Sequence, residues 1–188
     1  MKKWKCKKSE IVYDSKYFRV RKDLVELPNG ELKEWTYWDS VDSILIIGRT
    51  KSGKMVMIKQ FRYLTNAVEI EFPAGYCKKG ESVKEGAKRE FEEETGYKIG
   101  PALIKLGAFW ETYGQLNRRI HLFFADNVEK IDKKKQESED DVYEETQVQL
   151  VGFNKAVEWA VKNKITATPV ALAILLLKEK LKNKKFKN

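Results

Sequence analysis

The stretch from Ser82 to Gly96 is the part of this 188-residue chain that leaves the fewest folding options. Ser82 is a strong helix N-cap, and Glu85 three residues on completes a capping box. Gly96 suits the left-handed position just past a helix end. A helix over Val83–Thr95 follows. Its second half reads Arg89-Glu90-Phe91-Glu92-Glu93-Glu94. Glu90, Glu93 and Glu94 are spaced i, i+3, i+4 and share one helix face. Like charges placed so repel by about 0.2–0.5 kcal/mol per pair. Near the helix C-terminus each also opposes the macrodipole, at roughly 0.3–1 kcal/mol. Local propensity does not choose this arrangement. A divalent cation reverses its sign, because Mg²⁺ takes hard carboxylate oxygens. Phe91, one step round, is placed to face a core, and Arg89 to orient a carboxylate through its fork of donors. For the helix taken alone, a solvated glutamate face is the alternative, since glutamate is a strong helix former.

Around this helix the chain reads as β. Glu10–Tyr13, Tyr17–Leu27 and Leu32–Ser40 carry β-branched and aromatic residues in partial alternation, with Pro28-Asn29-Gly30-Glu31 as a hairpin signal. Val41–Arg49 and Met55–Tyr63 flank a second turn at Thr50-Lys51-Ser52-Gly53-Lys54. Val68–Phe72 is a short strand ending in Pro73-Ala74-Gly75. Strands return at Ala102–Glu111, Arg118–Asp126 and Thr146–Val151. Residues 127–145 are charged without apolar periodicity and read as a long exposed loop. Asn154–Asn163 and Thr168–Lys182 read as amphipathic helices, the second opened by Pro169. This order suggests an α+β or α/β sandwich.

Charge and cysteine content narrow the function classes. The net charge of +9 sits in the ends of the chain. Residues 1–8 carry five lysines and no acid, and residues 178–188 carry six lysines and one glutamate. The body between them is close to neutral, which is not the pattern of a basic nucleic-acid groove. The lysine-rich ends read as solvated termini. Cys6 and Cys77 make neither a disulfide scaffold nor a zinc motif. The N-terminus shows no secretory signal, and the longest apolar run, Val170–Leu177, is far short of the ~20 residues a membrane span needs. A reduced, cytoplasmic setting is expected.

Taken with its flanks, the helix forms a longer pattern. Gly75 is followed after five residues by Glu81, then after seven by Arg89-Glu90-Phe91-x-Glu93-Glu94-x-Gly96-Tyr97. This resembles the Nudix box, Gx5Ex7REUxEExGU with U a bulky apolar residue; Tyr97 stands where an aliphatic residue is more usual. The likeness extends to the ADP-ribose and nucleoside-diphosphate-sugar pyrophosphatase branch of that family. There a strand ending in Gln-Phe/Tyr-Arg precedes Glu-x-Pro-Ala-Gly, here Gln60-Phe61-Arg62 and Glu71-Phe72-Pro73-Ala74-Gly75.

The resemblance implies an α/β/α Nudix sandwich with a mixed sheet over residues 41–188. It adds a small N-terminal antiparallel β-domain over residues 1–40, which forms homodimers and helps to bind the substrate base. It implies Mg²⁺-dependent hydrolysis, with Mn²⁺ as a substitute, of a pyrophosphate bond in a nucleotide-sugar substrate, ADP-ribose first. Glu90 and Glu94 would be the main metal ligands, with Glu93 assisting and the Ala74 carbonyl as a further ligand. Arg89 belongs to the same catalytic set. Arg62 would meet a phosphate, and Tyr17, Trp35 and Glu81 would complete the substrate contacts. Tyr17 and Trp35 would stack on adenine; packing within the N-terminal sheet is the alternative for both. The general base would be Glu144 or Glu145, in a loop that also holds Glu137, Glu139, Asp140 and Asp141. His121, in the apolar run Ile120–Phe124, reads as structural, and Trp110 and Trp159 as packing residues. ADP-ribose hydrolases commonly carry a proline where this chain has Tyr113. That departure keeps other nucleoside-diphosphate sugars, dinucleotides of the NAD type and dinucleoside polyphosphates open as substrates. A nucleotide-sensing module without turnover, and an RNA-decapping activity helped by the lysine tails, are the readings outside that class.

Overall fold

The structure, a computed structural model, describes residues 1–131 and 145–184. The chain divides into two compact units. One is Met1–Asp42 with Phe109–Arg119; the other is Ser43–Ala108 with the chain from Ile120 onward.

The first unit is built on three antiparallel strands, β1 (Lys5–Asp14), β2 (Arg19–Glu26) and β3 (Leu32–Trp38), in that order. The expected hairpin joins β2 to β3. Gly30 takes a φ of 89°, Leu27 and Glu31 close the turn through the backbone, and the Asn29 side chain accepts from the Glu31 amide. β1 starts at Lys5 rather than near Glu10. Lys5 and Cys6 pair with Glu26 and Val25, and Lys7 forms an ion pair with Glu26. Part of the lysine-rich start is therefore strand, held by cross-strand partners that a local reading does not contain. The segment Phe109–Arg119 joins this unit through Trp38, whose amide donates to the Gln115 carbonyl, and through Asn117, whose side chain binds Ser40 and Asp39.

The second unit is a mixed eight-stranded sheet with helices. Its elements are β4 (Ser43–Thr50), β5 (Lys54–Arg62), β6 (Ala67–Glu71), β7 (Ala74–Tyr76), α1 (Val83–Thr95), β8 (Tyr97–Lys98), β9 (Ile104–Trp110), β10 (Arg119–Lys130), β11 (Thr146–Gly152), α2 (Phe153–Val161) and α3 (Thr168–Lys184). The main path runs β11-β5-β4-β10-β8, with β6 on β5, β7 on β4 and β9 on β10. β4 and β10 are parallel; the other pairings with a defined register are antiparallel. Ile44 to Ile47 are all buried, the continuous apolar run of a strand covered on both faces. Ile44 and Ile46 pack with Ala87 and Phe91 of α1. Val170, Ala173, Ile174 and Leu177 of α3 are buried too, and α3 packs on β4 and α2. The result is the expected α/β/α sandwich. No helix among the described residues is long and apolar enough to cross a membrane.

Two expectations change in detail. The loop expected from residue 127 begins later, because β10 continues to Lys130. Asn127 adopts a φ of 55° and shifts the register between Asp126 and Val128, which keeps Val128 buried. The short strands β7 and β8 carry too few residues to show a period.

α1 forms with the expected bounds. The Ser82 hydroxyl accepts from the Glu85 amide, and the Glu85 carboxylate accepts from the Ser82 amide. Gly96 closes the helix at φ 66°. Ser82→Ala is expected to lower unfolding free energy by about 1 kcal/mol with an unchanged denaturant slope, as read by urea titration.

Candidate active site

Arg89 is the centre around which α1's charged face is organised. All five of its N–H groups donate, each at 2.9 Å. Nε and one Nη2 hydrogen reach the two oxygens of Glu81. Nη1 bridges Glu90 Oε1 and Glu93 Oε2, and Nη2 also reaches the Tyr76 carbonyl. One guanidinium therefore ties the helix entrance, the helix face and β7 together. Its side chain and that of Glu81 are largely covered, so these are charge-assisted bonds away from full solvent screening. Glu81 also accepts from the Lys78 amide. Arg89 above all, with Lys78, holds the Glu81 carboxyl down at about 2, against the opposing effect of burial.

The other carboxylates close on the backbone before the helix. Glu90 lies against Gly75, where a Cβ would sit 2.5 and 2.6 Å from its two oxygens. Only glycine gives the carboxylate that seat. Glu94 accepts from the Ala74 amide at 3.3 Å. β7 presents this backbone through its pairing with β4, Leu45 opposite Ala74 and Ile44 opposite Gly75. Burial pushes the Glu90 carboxyl above its ordinary value, and Glu93 adds to the effect; Arg89 opposes it. Glu93 also has Lys78 Nζ at 3.8 Å. Glu81, Glu90 and Glu93 thus share one guanidinium and one more distant ammonium, and the last turn of α1 carries no basic residue. These three carboxylates outnumber the two cations, and Glu90 is partly desolvated.

Whether these groups fit a divalent cation depends on their donors. Among the described residues, no three His, Cys, Asp or Glu side chains close around one point. Glu90 against Gly75 and Glu94 on the Ala74 amide bring two carboxylates to adjacent residues of β7, and their oxygens are hard donors of the kind Mg²⁺ takes. The desolvated excess charge at Glu90 is what a cation relieves. The residues fit such an ion as an open site, with positions left for water or phosphate oxygens.

The remaining expected residues fall as follows. Arg62, at the end of β5, makes a two-toothed pair with Glu71 of β6, at 2.7 and 2.8 Å. Glu145 is exposed just before β11. Glu137, Glu139, Asp140, Asp141 and Glu144 lie outside the described residues. His121 is buried in β10, as its apolar neighbours suggested.

In the first unit, Trp35 lines a cleft of about 350 Å³ together with Tyr37, Trp110, Tyr113, Gly114, Leu116 and Asn117. Trp4 packs edge-on against Trp35. Tyr17 is largely exposed, with Lys16 over its ring. Trp110, read from sequence as a packing residue, is half exposed and forms part of the cleft wall. Tyr113, at the position of the missing proline, is another wall residue. No sequence signal brings Trp110 and Tyr113 beside Trp35, because Phe109–Arg119 joins the N-terminal unit only in three dimensions.

Comparisons with known proteins give a consistent picture. The NUDIX domain family matches residues 36–168, and the nucleoside diphosphate sugar hydrolase N-terminal domain matches residues 4–38. The chain is 32% identical to the ADP-ribose pyrophosphatase of Bacillus subtilis (strain 168), over 94% of each chain. It is 30% identical to a methanol dehydrogenase activator of Bacillus methanolicus, covering 94% of this chain and 95% of that one. In fold it is similar to a solved ADP compounds hydrolase, with a TM-score of 0.78 over 98% of this chain and 97% of that one, at 19% identity.

The Glu81–Arg89 pair makes a pH-dependent contribution to stability. Glu81→Gln is expected to cost about 1.5–3 kcal/mol near neutral pH, the worth of hydrogen bonds to a charged partner. The folded carboxyl titrates below its ordinary value of 4.5, so its contribution is complete above that value and is lost as pH falls through about 2. Denaturant titrations from about pH 7 to about pH 3 should show the gap between wild type and variant narrowing below 4.5. A constant gap contradicts the assignment.

Proposed function

We propose that this chain, which belongs to the NUDIX family, hydrolyses the pyrophosphate bridge of a nucleoside diphosphate joined to a sugar. ADP-ribose, split to AMP and ribose 5-phosphate, is the substrate of first choice. One observation carries the reading: Arg89 gathers Glu81, Glu90 and Glu93 into a single network, while Glu90 and Glu94 close on the Ala74–Gly75 backbone. The names of the relatives, an ADP-ribose pyrophosphatase among them, support the substrate class.

The residues divide the work by position. Glu90 and Glu94, with the Ala74 carbonyl, are the proposed ligands of Mg²⁺, for which Mn²⁺ substitutes; Glu93 assists from the same helix face. Bound there, the metal supplies charge neutralisation to the bridging phosphates and acidity to a coordinated water. Arg89 holds the carboxylates in place before substrate arrives, so little reorganisation is left for the reaction. Glu81 acts through Arg89, since both of its oxygens already accept from that guanidinium. Arg62, aimed by Glu71, is the proposed phosphate contact. Glu144 or Glu145 is the proposed base that takes the proton from the attacking water. Trp35 and Tyr17 are the proposed base-stacking residues. The aromatic cleft around Trp35 supports that role, because stacking on a purine is worth about 1–3 kcal/mol.

A panel of ADP-ribose, other nucleoside-diphosphate sugars, NAD and dinucleoside polyphosphates tests the reaction and its substrate together. Wild type is expected to cleave ADP-ribose only with Mg²⁺ or Mn²⁺. Glu93→Gln and Glu94→Gln should lose about 100-fold or more in kcat, the equivalent of several kcal/mol of charge stabilisation. Trp35→Ala should raise KM by about tenfold with a smaller change in kcat. No turnover of any substrate, or full rates in both glutamine variants, contradicts the reading. Turnover confined to another substrate replaces ADP-ribose and leaves the chemistry standing.

The N-terminal unit is also the proposed homodimer contact. Ile11, Val12 and Tyr13 of β1 are exposed and adjacent, which suits burial against a second copy. Sedimentation equilibrium should give twice the monomer mass, and a monomer at micromolar concentration contradicts it.

A further inference from the structure

We infer that Gly48 is a positioning residue for the metal-binding helix, and that it acts as one half of a steric pair with Phe91. The inference rests on the proposed metal role of Glu90 and Glu94. Gly48 lies on β4, well before Gly75, the first residue of the motif, and its local sequence does not say what comes close to it.

Ile44, Ile46 and Gly48 alternate along β4 and so face the same side, the side on which α1 packs. At Gly48 the ring of Phe91 comes down onto the strand backbone. A Cβ there would overlap Phe91 Cζ and stand 2.6 Å from Cε2 and 3.2 Å from Cε1. The ring has no room to swing aside, because Phe91 is fully buried among Ile44, Ile46, Ala87, Phe123 and Ala125. The strand has no room to retreat either. Gly48 is paired with Val56 of β5 on one side and Ala125 of β10 on the other. A methyl group at position 48 is therefore relieved chiefly by moving α1 away from the sheet.

That movement has one consequence for the site. Phe91 sits between Glu90 and the Glu93–Glu94 pair on the same helix. Glu90 is seated against Gly75 and Glu94 on the Ala74 amide, both on the sheet side. Lifting Phe91 off Gly48 draws both carboxylates away from that backbone. A second notch shows the same fit with the roles reversed. Gly86 of α1 receives Ile44 of β4, and a Cβ at Gly86 would stand 2.7 Å from Ile44 Cδ1. Glycine inside a helix costs about 1 kcal/mol relative to alanine, and Gly86 is in place despite that cost. The helix thus has two fixed heights above β4, one at each end. Mg²⁺ demands near-ideal octahedral geometry, and a functional constellation tolerates displacements of only about 0.5 Å.

The test measures metal binding without substrate or turnover. Mn²⁺ affinity is read by the electron paramagnetic resonance signal of free Mn²⁺, and thermal stability is read separately in EDTA. Four proteins are compared: wild type, Gly48→Ala, Phe91→Leu and the double variant. Leucine lacks the ring atoms that the alanine methyl would meet. Gly48→Ala is expected to weaken Mn²⁺ binding by about tenfold or more. Phe91→Leu should melt earlier, through its lost core volume, and keep Mn²⁺ affinity within about threefold. The double variant should recover Mn²⁺ affinity to within about threefold of wild type despite a melting temperature that stays below it. If Gly48→Ala does not fold, recovery of both folding and Mn²⁺ affinity in the double variant is the expected result. Wild-type affinity in a folded Gly48→Ala, or a double variant that is unfolded or as weak as the single one, overturns the inference while the metal assignment stands. Wild type that binds no Mn²⁺ overturns the metal assignment and this inference together.

Discussion

The site depends on the saturation of one guanidinium. Arg89 has no donor left over, and each one reaches a group that would otherwise be repelled or left unsatisfied. Without it, Glu81, Glu90 and Glu93 would be negative charge on a partly covered surface with only Lys78 beside them, and Glu90 and Glu93 would stand in the half of the helix whose dipole disfavours carboxylates. With it, the repulsion is restrained but not cancelled. Glu90 keeps a carboxyl pushed up by burial, and Glu94 accepts from the Ala74 amide. The arrangement is stable enough to hold its shape and negative enough to want a cation.

Holding that shape is also a matter of steric fit. Residues without side chains sit where the glutamate helix meets the sheet: Gly75 under Glu90, Gly86 over Ile44 and Gly48 under Phe91. Packed interiors transmit displacement instead of absorbing it. The charged face and the core face of α1 are therefore not independent. The carboxylates take their positions from a hydrophobic seat, and the seat in turn sits on β4, the strand that binds β5, β7 and β10.

Much of this was legible in the sequence because it is local. Ser82, Glu85 and Gly96 set the bounds of α1 within a few residues of themselves, and Gly75, Glu81 and Arg89 reach the helix at fixed spacing. Alternation and turn residues located most strands of both units. What was not legible depended on partners distant in the chain. β1 extends to Lys5 because Glu26 and Val25 lie across from it. β10 passes residue 127 because Asn127 accommodates a bulge that keeps Val128 in the core. Trp110 read as a packing residue because nothing near it in sequence shows that Phe109–Arg119 folds with the N-terminal unit. Gly48 was silent for the same reason: a glycine in a strand says that something comes close, and only the fold says that it is Phe91.

Glu90 and Glu94 are proposed to hold a divalent metal against the Ala74–Gly75 backbone. Anomalous diffraction from crystals grown with Mn²⁺ tests it most directly. The account predicts a peak within coordination distance of both carboxylates and the Ala74 carbonyl, lost on Glu94→Gln. A well-ordered site with no peak there, or a peak that ignores that substitution, contradicts it.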